Sequence, residues 1–383
     1  MPCRSIGGDH VNACCGTKLR SLLKVVWLIG GALPLAACLD GSDGAPAVKH
    51  AIFLTLGALP GYTSSLASAV SSDGSIVVGT ATTAAGSRQA FRWSAQKGLV
   101  GLGFMPGGTY SVATAASANG AVIVGSGDTT DDPPASSMGF RWDEATGAQR
   151  VEPLPGSQLC HAAGVSGDGD VIVGTCLQNN NTAFRWTASS GSVALDRFGT
   201  GSNRQSTATA ISSDGSVIAG AGHPVLTGAL IWAANSSPTV LGKLPGDAAG
   251  VATAVSTEGS VVAGSSTDNA GTSRGFRWTQ PMGMVDLSDG MNGLLGSFAT
   301  SVPGSGSIIV GYGPTATGDV ALIWDADHGM RALEAALAAD YQTQIAGWKL
   351  LRATAISNDG HTIAGYGTNP QGQTEAWVVK LPD

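Results

Sequence analysis

The stretch AISSDGSVIAG, residues 210–220, recurs in seven versions along this chain of 383 residues. Each version places a Ser-x-Asp-Gly turn, or a variant of it, between two apolar runs. Glycine supplies the positive φ that a tight hairpin turn needs, and Asp or Ser hydrogen-bonds the local backbone. Each copy therefore predicts two antiparallel strands joined by a short turn. The other copies begin at Ala69, Ala115, Gly164, Ala254, Ser301 and Ala355.

Each hairpin belongs to a longer unit that continues into an aromatic block such as AFRW (residues 90–93) and a glycine-rich block such as GLVGLG (residues 98–103). The second strand of the hairpin, as in SIVVG at 75–79, is continuously apolar, so both of its faces should be covered. The first strand carries alanine at alternate positions, as at Ala67 and Ala69, which suits strands crowded around an axis. The two later blocks supply a third and a fourth strand.

The spacing of these units predicts an all-β fold, a seven-bladed β-propeller of four-stranded blades. The tryptophan of the aromatic block returns every 44 to 49 residues between Trp93 and Trp324. A β-solenoid is the alternative, but solenoid coils are usually much shorter than this period.

The two ends of the repeat region predict how the ring closes. The last unit ends at Lys380 and has no fourth strand of its own, whereas FLTLG at 53–57 precedes the first unit and matches LVGLG at 99–103. Pairing of this N-terminal strand with the last blade would close the ring and leave neither an edge strand nor an unpaired blade face exposed.

The composition agrees with a folded repeat array. Glycine contributes 56 residues and the charged fraction is only 12%, but 43% of residues are apolar. Disordered chains are poor in apolar residues, so disorder is not expected.

The N-terminal segment is a different kind of sequence. Lys18, Arg20 and Lys24 precede an apolar run at 25–35 that is too short to span a bilayer, which indicates a secretory signal. LAAC at 35–38 resembles the lipobox of bacterial lipoproteins, which implies a signal peptide at 1–37 and lipidation of Cys38. A linker (38–50) and the propeller (51–383) follow. An ordinary signal peptide that ends near a cysteine is the alternative.

Charge restricts the partners. Residues 1–37 hold four of the 20 basic residues and one of the 27 acidic ones, which leaves 16 basic and 26 acidic residues and a net charge of −10. An acidic surface argues against nucleic acid as a partner. By resemblance to known sorting patterns, the non-acidic Leu39 after Cys38 favours the outer membrane.

The blocks LGALPG (56–61), AVSSDGSIVVG (69–79) and AFRW (90–93) resemble the HAF repeats of bacterial extracellular proteins, which would cover nearly all of residues 51–383. GWKL at 347–350, preceded by a helix-like stretch at 330–339, is similar to the terminal unit of that family. The resemblance implies an exported repeat protein and carries no known catalytic residues. Phe198 and the turn PGSG at 303–306 depart from the repeat.

Candidate catalytic and metal-binding residues do not form a recognisable set. The histidines after residue 38 are scattered over different units, with no pair at metal-ligand spacing, so no metal, cofactor or catalytic triad is expected. One acidic residue recurs at the same position of most repeats, as at Asp73, Asp168 and Asp214. A residue that the repeats share is expected to form a turn, since a catalyst needs to occur only once.

Cys160 and Cys176 are the only cysteines after Cys38 and lie symmetrically about Asp168 at the tip of one hairpin. This spacing places them opposite each other across two strands and predicts a disulfide. An exported compartment would permit the bond.

Sequence irregularity concentrates in the connections between second and third strands and between blades, which share one face of a propeller. Loops on a rigid scaffold commonly carry recognition. The candidate ligand-binding residues on this face are Tyr62, Tyr110, Asp128, Asp131, Asp132 and Asn181.

These observations favour a monomeric binding or scaffold module for an envelope protein or glycan, with a neutral glycan or basic protein patch preferred to anionic polymers. The alternative is a propeller lyase or hydrolase that acts on an extracellular polymer, but the sequence reveals no set of acid, base and electrophile for it.

Overall fold

A computed structural model describes residues 49–130, 137–177, 180–196, 204–223, 228–233, 237–288 and 293–382. The strands of these residues form seven antiparallel four-stranded sheets, each built from consecutive strands except the last. This arrangement confirms the predicted all-β, seven-bladed β-propeller.

The blades are numbered here by the order of their innermost strands. Blade 1 consists of β2 (Ser64–Val70), β3 (Ile76–Thr82), β4 (Arg88–Ser94) and β5 (Gly98–Gly101). Blade 2 consists of β6 (Ser111–Ala116), β7 (Ile123–Gly127), β8 (Met138–Asp143) and β9 (Gly147–Arg150). Blade 3 consists of β10 (Leu159–Val165), β11 (Ile172–Leu177), β12 (Asn181–Thr187) and β13 (Gly191–Ala194). Blade 4 consists of β14 (Gln205–Ile211), β15 (Val217–His223), β16 (Gly228–Ala233) and β17 (Thr239–Gly242).

The remaining blades follow the same plan. Blade 5 consists of β18 (Ala249–Val255), β19 (Val261–Thr267), β20 (Ser273–Thr279) and β21 (Gly283–Asp286). Blade 6 consists of β22 (Phe298–Ser301), β23 (Ile308–Thr315), β24 (Gly318–Asp325) and β25 (Gly329–Ala332), and the helix α1 (Leu333–Tyr341) follows it. Blade 7 consists of β26 (Lys349–Ile356), β27 (Thr362–Thr368), β28 (Thr374–Lys380) and β1 (Ile52–Gly57).

The ring closes as the sequence predicts. Strand β1 pairs antiparallel with β28, with Phe53 opposite Val379 and Leu54 opposite Val378. The N-terminal strand is thus the outermost strand of the last blade. The helix at the last inter-blade connection covers Leu333–Tyr341 instead of the expected 330–339, because Met330 and its neighbours extend β25 and pair with β24.

The recurrent aspartate forms the hairpin turn. In blade 1 the Asp73 Oδ1 atom accepts hydrogen bonds from the Ser71 hydroxyl at 2.7 Å and the Ser75 backbone N–H at 3.0 Å. Gly74 follows with a φ of 68°, a conformation that strongly favours glycine. Asn119 takes the same role in blade 2, where its Oδ1 atom accepts from the Ser117 hydroxyl at 3.0 Å.

The second strand of each blade is covered on both faces. In β3, Val77 and Val78 are fully buried, as the continuous apolar run predicts. The glycine that ends this run has a steric reason: a Cβ atom at Gly79 would lie 2.0 Å from the Leu66 carbonyl oxygen and 2.7 Å from the Phe91 ring. The glycine and the aromatic residue of the repeat are therefore one packing unit.

A β-bulge changes the expected alternation of the innermost strand. In blade 1, Ala67 is opposite Gly79 and Ala69 is opposite Val78, so one residue of the inner strand, Ser68, has no partner of its own. Ala67 is buried between blades, whereas Ser68 and Ala69 line the cavity on the propeller axis. The two alanines of the repeat thus face different surroundings.

Four of the seven connections between blades contain a Pro-Gly turn, at residues 60–61, 106–107, 155–156 and 245–246. The Tyr62 N–H donates to the Leu59 carbonyl across Pro60 and Gly61, whose φ is 84°. Proline at the second and glycine at the third position is the pattern of a type II turn. The turn directs the Leu59 side chain into the core, where only 5% of it is exposed.

The predicted disulfide is present. Cys160 and Cys176 are directly opposite each other in β10 and β11, and a disulfide joins them with a Cα–Cα distance of 4.0 Å. Both residues are buried within blade 3. In the described part of the chain, no helix is long and apolar enough to cross a membrane.

Candidate functional site

The antiparallel order of the strands gives the propeller two different faces. The turns between first and second strands and between third and fourth strands lie on one face, here called the turn face. The connections between second and third strands and between blades lie on the other, here called the loop face. Each innermost strand runs from the loop face to the turn face.

A cavity of about 220 Å³ lies on the axis, surrounded by the seven innermost strands. Threonine hydroxyls at its wall join neighbouring blades, as where Thr209 Oγ1 donates to the Ala252 carbonyl at 2.6 Å and Thr354 Oγ1 donates to the Ala67 carbonyl at 3.0 Å. Among the described residues, five of the seven inner strands carry such a bond; the other two have a different residue at this position, Ser68 and Ala163.

The wall of the axis becomes apolar toward the turn face. One side chain per blade separates the axial cavity from a smaller one below it: Val70, Ala116, Val165, Ile211, Val255, Val302 and Ile356. Below this level the hairpin turns hydrogen-bond each other around the axis, as where the Ser72 N–H donates to the Ala118 carbonyl and the Asn358 N–H donates to the Ser72 carbonyl. The turn-face end of the axis is therefore a structural ring, and a ligand would approach from the loop face.

One position of the repeat distinguishes the blades at the loop-face end of the axis. This position immediately precedes the buried residue of the inner strand that is alanine in all seven copies. The residue at this position is at least partly exposed in every blade. The residues there are Leu66, Val112, His161, Thr207, Val251, Phe298 and Arg352. The residues opposite them on the second strands are Thr80, Ser126, Thr175, Ala221, Ser265, Tyr312 and Tyr366.

The bulky and charged members of this set come together in blades 6 and 7. The Phe298 and Tyr312 rings are stacked, with centroids 4.8 Å apart and planes 13° from parallel. The Arg352 guanidinium from the next blade lies 3.9 Å from the centre of the Tyr312 ring, within the range of a cation–π interaction. The ring stack lies within blade 6, whereas the Arg352–Tyr312 contact exists only because blades 6 and 7 are adjacent in the ring.

Two further groups complete this arginine–tyrosine cluster, which consists of Phe298, Tyr312, Asp319, Arg352 and Tyr366. The Arg352 Nε–H donates to Asp319 Oδ2 at 2.6 Å, and Tyr366 is paired with Arg352 across the two inner strands of blade 7. Burial raises the pKa of the Tyr366 hydroxyl, which therefore stays protonated at neutral pH. Burial disfavours the charge of Arg352 more than any other single influence, but the hydrogen bond to Asp319 and the electrostatic interactions with Tyr366, Tyr312 and Asp319 together exceed it and raise the arginine pKa.

His161 occupies the same position in blade 3. Its Nδ1 atom lies 3.2 Å from the Ser126 hydroxyl of blade 2, and it follows the disulfide-bonded Cys160 directly. Partial burial of the ring lowers the pKa of His161, so the imidazole is neutral at neutral pH. Ser126 lies in β7 of blade 2 and His161 in β10 of blade 3, and the Ser126 side chain is buried. The pair is therefore a packed contact between two blades.

Tyr110 and Asp128 are brought together on the loop face as parts of one loop anchor. Asp128 Oδ1 accepts hydrogen bonds from the backbone N–H groups of Thr109 at 2.7 Å and Tyr110 at 2.9 Å. Burial acts against ionisation of Asp128, but these bonds and one from the Thr109 hydroxyl lower its pKa. The Arg88 guanidinium lies 5.4 Å from the centre of the Tyr110 ring and links blades 1 and 2.

The other candidate residues from the sequence are separate from this anchor. Tyr62 packs its ring partly against the core around Leu59 and Phe91, and Asn181 begins β12 opposite Leu177. Asp131, Asp132 and Cys38 lie outside the described residues.

The arginine–tyrosine cluster was missed by the sequence analysis, although a signal for it exists. When the seven copies are aligned, the residue before the invariant alanine changes from aliphatic in blade 1 to phenylalanine and arginine in blades 6 and 7. This change affects one residue per repeat, so it is less conspicuous in the sequence than the long, irregular loops. The described residues contain no group of three His, Cys, Asp or Glu side chains placed to hold a metal ion.

No family model matches the chain, and no curated protein matches it. Among solved structures, an oligogalacturonate lyase in complex with manganese superimposes with a TM-score of 0.55 at 11% identity, over 87% of this chain and 97% of that one. A prolyl endopeptidase gives 0.54 at 11% identity, over 84% and 51%. TolB from Acinetobacter baumannii gives 0.47 at 13% identity, over 68% and 63%. This chain thus spans about half of the endopeptidase and less than two thirds of TolB, and at such identities the likeness to the first two shows the propeller fold alone.

Proposed function

We propose that this chain is an exported, lipid-anchored β-propeller of the HAF-repeat kind that binds an envelope protein or a glycan through its loop face. The observation that carries the proposal is the distribution of side chains that break the repeat. Residues shared by the blades form turns, core and contacts between blades, whereas the arginine–tyrosine cluster occurs once, at the loop-face end of the axis. A rigid scaffold with one non-repeated cluster is suited to recognition.

The anchoring part of the proposal rests on LAAC at 35–38. In this proposal residues 1–37 are removed, Cys38 is lipidated, Leu39 directs the protein to the outer membrane, and residues 38–50 link the anchor to the propeller. Mass spectrometry of the mature N-terminus tests it. A mature chain that begins at any other residue, without lipid, would disprove the anchoring.

Binding is tested by immobilising the propeller and exposing it to envelope extract and to a panel of cell-wall glycans. We expect a captured component whose retention falls at least tenfold, about 1.4 kcal/mol, in a Tyr312→Ala, Arg352→Ala double variant. Lys97→Ala is the matched control, because Lys97 is an exposed residue of the turn face whose ammonium group pairs with the exposed Glu144. Equal loss in both variants, or none in either, would contradict use of the loop face.

The competing class is an enzyme that cleaves an extracellular polymer. The same purified protein is therefore assayed with a panel of hydrolase and lyase substrates. Turnover that persists through purification and disappears when one loop-face carboxylate, Asp128 or Asp319, is changed to asparagine would replace the binding proposal with the enzymatic one.

A further inference from the structure

Arg352 uses only part of its hydrogen-bonding capacity. Its Nε–H donates to Asp319 Oδ2 at 2.6 Å, and among the described residues its two Nη groups donate to no acceptor. The side chain is 37% exposed, so these groups reach solvent at the loop face. The guanidinium plane is held in place by the Tyr312 ring at 3.9 Å.

Two other arginines of this fold use both sides of the guanidinium group to bind carboxylates. Arg274 binds two carboxylates, with Nη1 at 2.6 Å from Asp286 and Nη2 at 2.6 Å from Asp247. Arg331 also binds two, Asp325 at 2.9 Å and Asp340 at 2.8 Å. In both cases the second carboxylate comes from a different segment of chain and fastens it to the blade.

The surroundings of Arg352 fit an acceptor that comes from outside the chain. Tyr366 is the cross-strand partner of Arg352 and interacts electrostatically with it, and the Tyr312 ring under the guanidinium is stacked with Phe298, which adds apolar surface. Because Asp319 already neutralises the arginine charge, a bound carboxylate would be held by directed hydrogen bonds from the Nη groups and not by net positive charge. A planar guanidinium with both Nη groups available matches the two oxygens of a carboxylate in a bidentate geometry.

We propose that the arginine–tyrosine cluster binds the carboxylate of a compact organic ligand, with the Arg352 Nη groups on the two carboxylate oxygens and the body of the ligand against the Phe298 and Tyr312 rings. The inference rests on the proposed use of the loop face for binding and specifies the chemistry recognised there. An isolated carboxylate on an amino acid or a sugar meets this requirement. A polyanion does not, because the chain after residue 37 has a net charge of −10.

The ligand chemistry is tested with two pairs of small probes in ligand-observed NMR titrations of the mature propeller. One pair is N-acetylphenylalanine and its amide, and the other is glucuronic acid and its methyl ester. A compact ligand of this size is expected to bind with a Kd of about 1 mM. In at least one pair we expect the acid to bind at least tenfold more tightly than its neutral partner, and the pair that does so identifies the source of the carboxylate.

Substitutions then assign the binding to Arg352. Arg352→Lys keeps the positive charge but removes the planar pair of Nη donors, and we expect it to weaken binding of the acid probe at least tenfold. Arg141→Lys is the matched control, because Arg141 also binds one carboxylate, Asp143 at 2.5 Å, but has no aromatic ring stacked on it among the described residues. An unchanged melting temperature shows that each variant is folded.

The outcomes separate the two proposals. Equal binding of acid and neutral probe, with loss in Arg352→Lys, would overturn the carboxylate inference and leave the loop-face function standing. No acid binding at about ten times the expected Kd, or equal loss in the two lysine variants, would also overturn the inference. Failure of the capture experiment with the double variant would instead contradict the proposed function itself.

Discussion

At the scale of single residues, the repeat is explained by positions where only one residue type fits. Alanine precedes the bulge in all seven copies because it is buried between two blades, as Ala252 and Ala353 are. Glycine follows the apolar run of the second strand because the carbonyl of the inner strand approaches to about 2 Å from where a Cβ atom would be, as at Gly264 and Gly311. Packing at these positions, rather than ligand contact, accounts for their recurrence.

Gly264→Ala should destabilise the propeller by about 3 kcal/mol, because the added Cβ would lie 2.0 Å from the Val251 carbonyl and the backbone must shift to relieve this contact. Gly283→Ala in the same blade is the control. Gly283 has a φ of 69° with open space around it, so an alanine there pays only the conformational cost of about 1 kcal/mol. Urea denaturation measures both; equal losses would show that the close contact is not the cause.

The turn aspartates should make stability depend on pH. Hydrogen bonds from the Ser71, Ser166 and Ser212 hydroxyls lower the pKa values of Asp73, Asp168 and Asp214. A carboxyl whose pKa is lower in the folded state contributes stability above its unfolded pKa of about 3.9, and this contribution is lost as the pH falls through the folded value.

We therefore expect the wild-type free energy of unfolding to fall more steeply from about pH 6 to about pH 3 than that of the Asp73→Asn, Asp168→Asn, Asp214→Asn triple variant. Asparagine should keep the turns folded, because Asn119 already serves in blade 2. Urea denaturation across this pH range measures the difference. Parallel pH profiles would show that these bonds do not drive the acid sensitivity.

At the scale of elements, each blade is a sheet that neighbouring blades fasten at both ends. Threonine hydroxyls join inner strands around the axis, and backbone hydrogen bonds join successive hairpin turns on the turn face. Third-strand arginines add contacts between blades, since Arg92 Nε donates to the Gly120 carbonyl at 3.4 Å and Arg277 Nε donates to the Gly306 carbonyl at 3.3 Å. Blade 3 has alanine in place of the threonine, and it is the blade that carries the disulfide.

Removing the disulfide should cost about 3 kcal/mol, the chain-entropy value for a loop of this length. A chain that begins at residue 39 contains only Cys160 and Cys176, so a Cys160→Ala, Cys176→Ala variant is compared with the wild type by denaturation, with and without reductant. Reductant should lower wild-type stability and leave the variant unchanged. Two titratable thiols in the unreduced native protein would contradict the bond.

At the scale of the whole molecule, stability depends on closure of the ring. Strand β1 supplies the outer edge of blade 7, the Ala51 N–H donates to the Thr343 hydroxyl at 3.0 Å, and Leu56 is buried in a cluster that includes residues of blade 1. The segment therefore links the last blade to the first. Its loss would expose the third strand of blade 7 and apolar surface on both sides.

Deleting residues 51–57 should lower the melting temperature of the whole propeller in one transition, with a loss on the order of 4 kcal/mol from the exposed apolar side chains. Deleting residues 39–48 is the control, because it leaves β1 in place. Thermal unfolding followed by circular dichroism measures both. An unchanged transition after removal of β1 would contradict closure by this strand.

The sequence alone determined the hairpins, the four-stranded unit, the seven blades, the strand that closes the ring and the disulfide. Each of these depends on interactions that repeat within about 46 residues or on a match between the two ends of the repeat region. Turn residues and apolar runs act locally, so the hairpin can be inferred from a single copy of the repeat, and the other six copies support the inference.

Only the tertiary structure decided where the bulge lies and which side chains meet at the loop face. The bulge places Ala67 opposite Gly79 and Ala69 opposite Val78, a shift of register that the alternating alanines did not indicate. In the arginine–tyrosine cluster, Phe298 and Arg352 lie 54 positions apart in sequence and both contact Tyr312. The contact of Arg352 with Tyr312 crosses from blade 7 to blade 6 and depends on the angle at which neighbouring blades pack. That angle results from the closed ring as a whole, so no single repeat contains it.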